Sequence, residues 1–347
     1  MQNRRTFLRN TALIGGSMGL NLSFAFSRRQ PPTAERIIGH GSHRYAIDKE
    51  WGNQHPHRIP VKNCHEMVQD SKGRLILLTD HVKNNVIIYN ADGKVLQTWT
   101  QNWIGAHGLT LAKENDEEFL FITDSEQNQV YKCTMDGQIL MTLNAPFDTG
   151  LYQEKTEYKP TEVAVAPNGD FYVADGYGKD YILHYNHKGE LIRTFGGKGD
   201  GEAQLQNAHG VTLDTRDPQN LSLLVTSRAK QEFKRFSLDG KHLETIKTPG
   251  CWICRPVIHG KNLYFAVIVS KDWWTYDGFV MVMDKNNKVV SLPGASAPGF
   301  SEGVLTEPDY DGLSFLNPHD VCVDQDENLY VPQWYSGKTY PVKLTRI

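Results

Sequence analysis

The chain is poor in cysteine, in runs of like charge, in long apolar stretches and in helical periodicity. Five cysteines in 347 residues, Cys64, Cys133, Cys251, Cys254 and Cys322, are too few and too scattered for a disulfide framework. Cys251-Trp252-Ile253-Cys254 has redox spacing, but Pro249-Gly250 before it and Arg255-Pro256 after it deny it the strand-then-helix setting of a thioredoxin-like site. Pairing of Cys64 with Cys322 stays open. A formal net charge of −3 with no basic run excludes a nucleic-acid footprint. The apolar stretch Thr11 to Phe26 is short for a spanning helix.

That stretch follows Arg4-Arg5-Thr6-Phe7-Leu8 and ends in Ala25-Phe26-Ser27. Residues 1–27 therefore read as a Tat-type signal peptide, residues 28–42 as a linker and residues 43–347 as the folded body. Removing the signal takes away Arg4, Arg5 and Arg9 and no acid, so the charge of −3 becomes −6. This reading places the mature protein in the periplasm or outside the cell, exported by the Tat pathway, as a monomer with no stable membrane insertion.

What the chain does have is short strands divided by turn signals such as Asp92-Gly93, Asp136-Gly137, Asn168-Gly169, Lys188-Gly189 and Asp239-Gly240. One unit is legible from Thr161: Glu162-Val163-Ala164-Val165, a turn at Asn168-Gly169, Phe171-Tyr172-Val173-Ala174, then Tyr181 to Tyr185 and Leu191 to Phe195. Units of this kind begin near His65, His107, Thr161, His209, Arg255 and His319. Six four-stranded units predict an all-β, six-bladed β-propeller, because one such sheet cannot bury both faces and a closed ring can. The last unit is short of strands, and the segment Arg44 to Trp51 is placed to complete it from the N-terminal side.

Four of the six unit starts carry histidine: Cys64-His65-Glu66, Ala106-His107-Gly108, Ala208-His209-Gly210 and Pro318-His319-Asp320. Thirteen histidines in the whole chain would put fewer than one there by chance. Repeat positions become neighbours when a ring closes, and alternate blades of six lie about 120° apart, so His107, His209 and His319 can cap one metal ion and leave a position open. The alternative is a set of solvated or hydrogen-bonded pore histidines. His65, outside the alternate set, reads as an extra ligand, a supporting group or a proton carrier. His184, His187 and His242 read as surface residues.

The segment Phe171 to Gly178 and the later Arg193-Thr194-Phe195-Gly196-Gly197 resemble NHL-repeat six-bladed propellers, and more closely the bacterial relatives of peptidyl-α-hydroxyglycine α-amidating lyase. That resemblance implies zinc, or a similar divalent metal, at His107, His209 and His319. It also implies a structural calcium at Asp320 and the carbonyl of Leu109, a catalytic tyrosine at Tyr177 and a carboxylate-binding arginine at Arg228. Two positions depart from it. The arginine expected after the second strand of blade one is missing from Leu77-Leu78-Thr79-Asp80-His81, and Asn317 stands where the family has methionine. Arg255 is the residue expected to supply the missing positive charge to an anionic substrate.

The function expected on this reading is a metal-dependent lyase that cleaves a small-molecule or peptide C-terminal carbinolamide to an amide and glyoxylate. The alternatives are a non-catalytic propeller that binds protein or glycan, with Trp252 and Trp273-Trp274-Thr275-Tyr276 at its mouth, and a calcium-dependent lactonase using Glu162 and Asp320.

Overall fold

Turn chemistry sets the strand lengths. At Asn90, Asn186, Asp284 and Asp324 the side-chain oxygen accepts the backbone N–H groups two and four residues on. These local bonds compete with strand extension and close a tight turn. The computed structural model describes residues 36–269, 275–334 and 339–347, so the signal-peptide reading of residues 1–27 and the pair Trp273-Trp274 lie outside the described residues. Among the described residues there is no α-helix, and three short 3-10 turns accompany the strands.

The strands form six antiparallel blades, and the innermost strand of each lies beside that of its neighbours around a central channel. These inner strands are Cys64–Gln69, Ala106–Glu114, Glu162–Val165, Ala208–Asp214, Val257–His259 and Cys322–Val323. Blade six continues through Leu329–Val331 and Val342–Arg346 and is completed by His43–Asp48, with Tyr45 opposite Arg346. The two ends of the folded body are thereby joined. Pairing begins earlier than expected: Ile37–His40, within the stretch read as linker, adds a fifth strand to this blade.

The core is divided into six apolar clusters, one at each blade interface. Leu75 and Leu77 point toward blade six, where they meet Tyr330, while Ile76 and Leu78 point toward blade two and meet Leu120 and Ile122. Successive side chains of a strand face opposite ways, so the middle strands are apolar on both faces and read as continuous hydrophobic runs. Each large apolar side chain so buried stabilises the fold by about 1.5–3 kcal/mol. The outermost strands have a single packed face, and Leu96, Leu140 and Leu243 there are about half exposed. His184 differs from its surface reading: it is buried, stacked on Tyr172 with 4.4 Å between ring centres and 3.2 Å from Asp170.

All five cysteines are free and buried. Burial pushes the thiols of Cys251 and Cys254 up to about 12 and about 11, which makes them poor nucleophiles and leaves the redox spacing without chemistry. Cys64 and Cys322 share the apolar cluster between blades six and one as thiols.

Candidate metal centre and active site

Each channel histidine sits where its inner strand loses register with the next strand. Between Cys64 and Glu66, between Ala106 and Leu109, and between Ala208 and Val211 the inner strand holds one residue more than its partner. From Pro318 to Cys322 it does so again. Such bulges re-aim side chains, and here they accompany imidazoles that converge on the axis. The glycine after histidine has a packing cause. A Cβ on Gly108 would lie 2.5 Å from the Thr161 carbonyl oxygen, and one on Gly210 would lie 2.7 Å from the Cα of Arg255.

The rings meet. Their centres are 4.8 Å apart for His65 and His107, 4.9 Å for His65 and His319, 4.7 Å for His107 and His209, 5.0 Å for His107 and His319, and 4.9 Å for His209 and His319. One ring nitrogen from each of His65, His107 and His319 lies within 4.8 Å of the other two. His65 is therefore a full member of the cluster. His209 is fully buried beside it.

The hydrogen bonds assign the protons. His107 Nδ1 is 2.8 Å from the Thr161 carbonyl and His319 Nδ1 is 3.0 Å from the His65 carbonyl. A carbonyl only accepts, so both Nδ1 atoms carry hydrogen and both Nε2 atoms offer lone pairs. His65 Nε2 is 3.9 Å from Asp80 Oδ2, and its Nδ1 is buried with no partner among the described residues. Neither nitrogen of His209 has one. Burial lowers His107, His209 and His319 well below the usual imidazole value, and the neighbouring His65 or Arg228 lowers them further. Neutral, buried imidazoles with unpartnered nitrogens are the donor set that a divalent metal requires, so the residues fit one.

Tyr177 closes one side. Its hydroxyl is 3.0 Å from His107 Nε2, and that lone pair can serve the phenol or a cation, not both. The Tyr177 turn is pinned by Asp175, whose buried carboxylate accepts from Lys159 N, Lys179 N and the Tyr152 hydroxyl. Tyr177 is 40% exposed as a residue, but desolvation of its hydroxyl end beside His107 pushes the phenol up, and the Arg228 guanidinium opposes that shift. Arg228 follows the second strand of blade four, buried, donating from Nε to the Ile253 carbonyl at 2.9 Å and from Nη2 to Cys254 Sγ at 3.1 Å. Its charge is thus held next to the histidines and the phenol.

Arg255 lies one residue deeper along the channel. Its Nε and Nη2 donate to the two oxygens of Asp320 at 3.1 and 2.6 Å, Nη1 to the Leu109 carbonyl at 2.6 Å and Nη2 to the Met67 carbonyl at 3.3 Å. Glu66 Oε2 is 3.1 Å from Nη1, and Glu162 Oε2 is 3.7 Å from Nε. Beyond this layer a cavity of about 460 Å³ opens on the far face, lined by Met67, Thr110, Leu111, Arg255 and Val321 among others, and no histidine reaches it.

No protein-family model matches the chain. The chain is 42% identical to peptidyl-α-hydroxyglycine α-amidating lyase 1 of Drosophila melanogaster over 70% of its own length and 45% of that protein's. It is 24% identical to human NHL repeat-containing protein 3 over 66% of its own length and 64% of that protein's. Its homologues are amidating lyases and NHL repeat proteins. The chain spans less than half the length of the fly lyase. Among solved structures, a gluconolactonase from Xanthomonas campestris superposes with a TM-score of 0.58 at 14% identity, covering 90% of this chain and 95% of that one, which shows the fold alone.

At two positions the residue itself departs from what the likeness to the amidating lyases implied. After the second strand of blade one stands Asp80, an acid in place of the expected arginine, bonded to Asn63 and 3.3 Å from Lys62. Asn317 adopts a left-handed φ of 53°, which asparagine tolerates and methionine does not favour. Its side-chain amide is buried with no partner among the described residues. Arg255 is corrected as a substrate-orienting residue, because its donors are taken by the channel oxygens. The same bonds occupy Asp320 and the Leu109 carbonyl, so the expected calcium does not fit there. Of the expected mouth, Trp252 is partly buried against the core between blades five and six.

Proposed function

We propose that the chain is an exported, metal-dependent lyase of the amidating type, acting on a carbinolamide with a C-terminal α-hydroxyglycine. The observation that carries this reading is the cluster of His65, His107 and His319, with His209 beside it, in a chain 42% identical to an amidating lyase. These histidines would hold zinc or a similar ion, a Lewis acid that polarises the substrate hydroxyl and lowers the proton affinity of groups beside it.

The protein's own groups supply the rest. Tyr177, next to His107, would act as the phenolate and receive the hydroxyl proton; the carbon–nitrogen bond then breaks, its electron pair leaves with the amide nitrogen, which takes the proton back from the Tyr177 hydroxyl, and the former carbinol carbon becomes the aldehyde of glyoxylate. The Arg228 guanidinium favours the deprotonated phenol and meets the substrate carboxylate. With the far cavity cut off by the Arg255 layer, substrate reaches the histidines from the opposite face. The lactonase alternative would need Glu162 and Asp320 free, and both lie against Arg255. Export rests on Arg4-Arg5 and the apolar stretch after it.

The test is metal content together with glyoxylate release from a synthetic α-hydroxyglycine peptide, for the wild type and His319→Ala. Stoichiometric metal and activity in the wild type, both lost in the variant, are expected. A wild type that is active without bound metal would sink the proposal.

A further inference from the structure

One layer below the histidines the channel forms an oxygen cage of the kind that holds a hard cation: both oxygens of Asp320, the carbonyls of Met67 and Leu109, and a carboxylate oxygen of Glu66. A guanidinium has five N–H donors. Arg255 makes four hydrogen bonds at 2.6 to 3.3 Å, to both oxygens of Asp320 and to the Leu109 and Met67 carbonyls, and its Nη1 pairs with Glu66 Oε2 at 3.1 Å, while Glu66 Oε1 and Glu162 Oε2 have no partner among the described residues.

The contacts also span the ring. Met67 and Glu66 come from blade one, Leu109 from blade two, Glu162 from blade three, Asp320 from blade six and Arg255 itself from blade five. Blade four contributes Gly210, whose missing Cβ makes room for the Arg255 backbone. We propose that Arg255 is a resident cation that takes the place of calcium in this channel, so that the ring closes with no divalent ion at that level. A calcium ion at these oxygens would have to displace the guanidinium, and a buried guanidinium has nowhere equivalent to go. The proposal concerns the carboxylate layer alone and does not depend on whether the histidines hold metal.

The experiment uses purified full-length protein in zinc-replete buffer, so that the histidine layer stays constant. Calcium content is measured by atomic emission, and thermal unfolding is followed in calcium-free and millimolar-calcium buffers. The wild type should carry no stoichiometric calcium, and its midpoint should be the same in both buffers. Arg255→Met should melt lower, regain part of the loss with calcium, and bind terbium with sensitised emission that the wild type does not show. Arg255→Lys, which keeps the charge with fewer donors, should melt between the two and gain little from calcium. One calcium per wild-type chain, or a wild-type midpoint raised by calcium, overturns the proposal. So does an Arg255→Met protein that folds and ignores calcium. If Arg255→Met yields no folded protein, the wild-type measurements decide.

Discussion

The histidine layer and the layer of Glu66, Glu162, Arg255 and Asp320 are adjacent in the channel, with Glu66 and Asp320 each one residue after a histidine, and both layers are buried and polar. They differ in how their hydrogen bonds are distributed. In the lower layer four hydrogen bonds and an ion pair to Glu66 Oε2 hold the guanidinium, and Asp320 also accepts the Met67 N–H at 2.9 Å, while Glu66 Oε1 and Glu162 Oε2 have no partner among the described residues. In the upper layer His65 Nδ1 and both nitrogens of His209 meet none among the described residues. Buried polar groups without partners are costly; in the upper layer they are imidazole nitrogens, donors that a divalent metal could take, and in the lower layer they are carboxylate oxygens beside a guanidinium.

The sharpest way to break that contrast is Arg255→Met. Removing one side of a buried ion cluster leaves uncompensated carboxylates, and we expect a loss of about 3–5 kcal/mol in denaturant unfolding. A loss below about 1 kcal/mol, the range of exposed pairs, would mean that the lower layer is not a structural unit. In the upper layer Tyr177→Phe should do the reverse. Turnover should fall roughly 10²–10⁴-fold while metal content and thermal midpoint stay put, and a matching fall in stability would assign Tyr177 to packing instead.

Acid should also separate the layers in metal-free protein. The folded values of His107, His209 and His319 are depressed below 6.5. Their contribution to stability is therefore present above pH 6.5 and is lost as pH falls from there toward the depressed values. Between pH 7 and 6 the three together should cost about 2 kcal/mol in urea unfolding. Replacing them with glutamine should flatten the profile, and an unchanged profile would show that the decline has another source. The smallest effect is expected from Asp80→Asn, which weakens the partner of His65 at 3.9 Å. Metal affinity, read by competition with a chelating dye, should drop about tenfold. No change would leave His65 outside the centre.

Much of the fold was legible because its determinants are local. Turn residues such as Asn168-Gly169, middle strands apolar on both faces and histidines at repeated positions are all visible along the chain. The strand Ile37–His40 was not, because an edge strand of four residues carries little pattern of its own. His65 stood outside the alternate set on symmetry grounds, yet the bulge between Cys64 and Glu66 accompanies a ring that reaches both His107 and His319. A one-residue loss of register leaves no mark in composition. Arg255 was placed in the right slot and given the wrong partner. Its charge was legible, but its acceptors belong to Met67, Leu109 and Asp320, as many as 188 residues away along the chain.

The sequence by itself determined strand length, turn position, the number of blades and which residue type stands at the start of each inner strand, since these follow from chemistry within a few neighbouring residues. Only the closed ring decided which partners those residues would meet and which of their polar atoms would be left without one. The hydrogen-bond partners of a channel residue come from other blades, and a lone pair on His209 or a donor on Arg255 acquires its meaning when six distant strands share one axis.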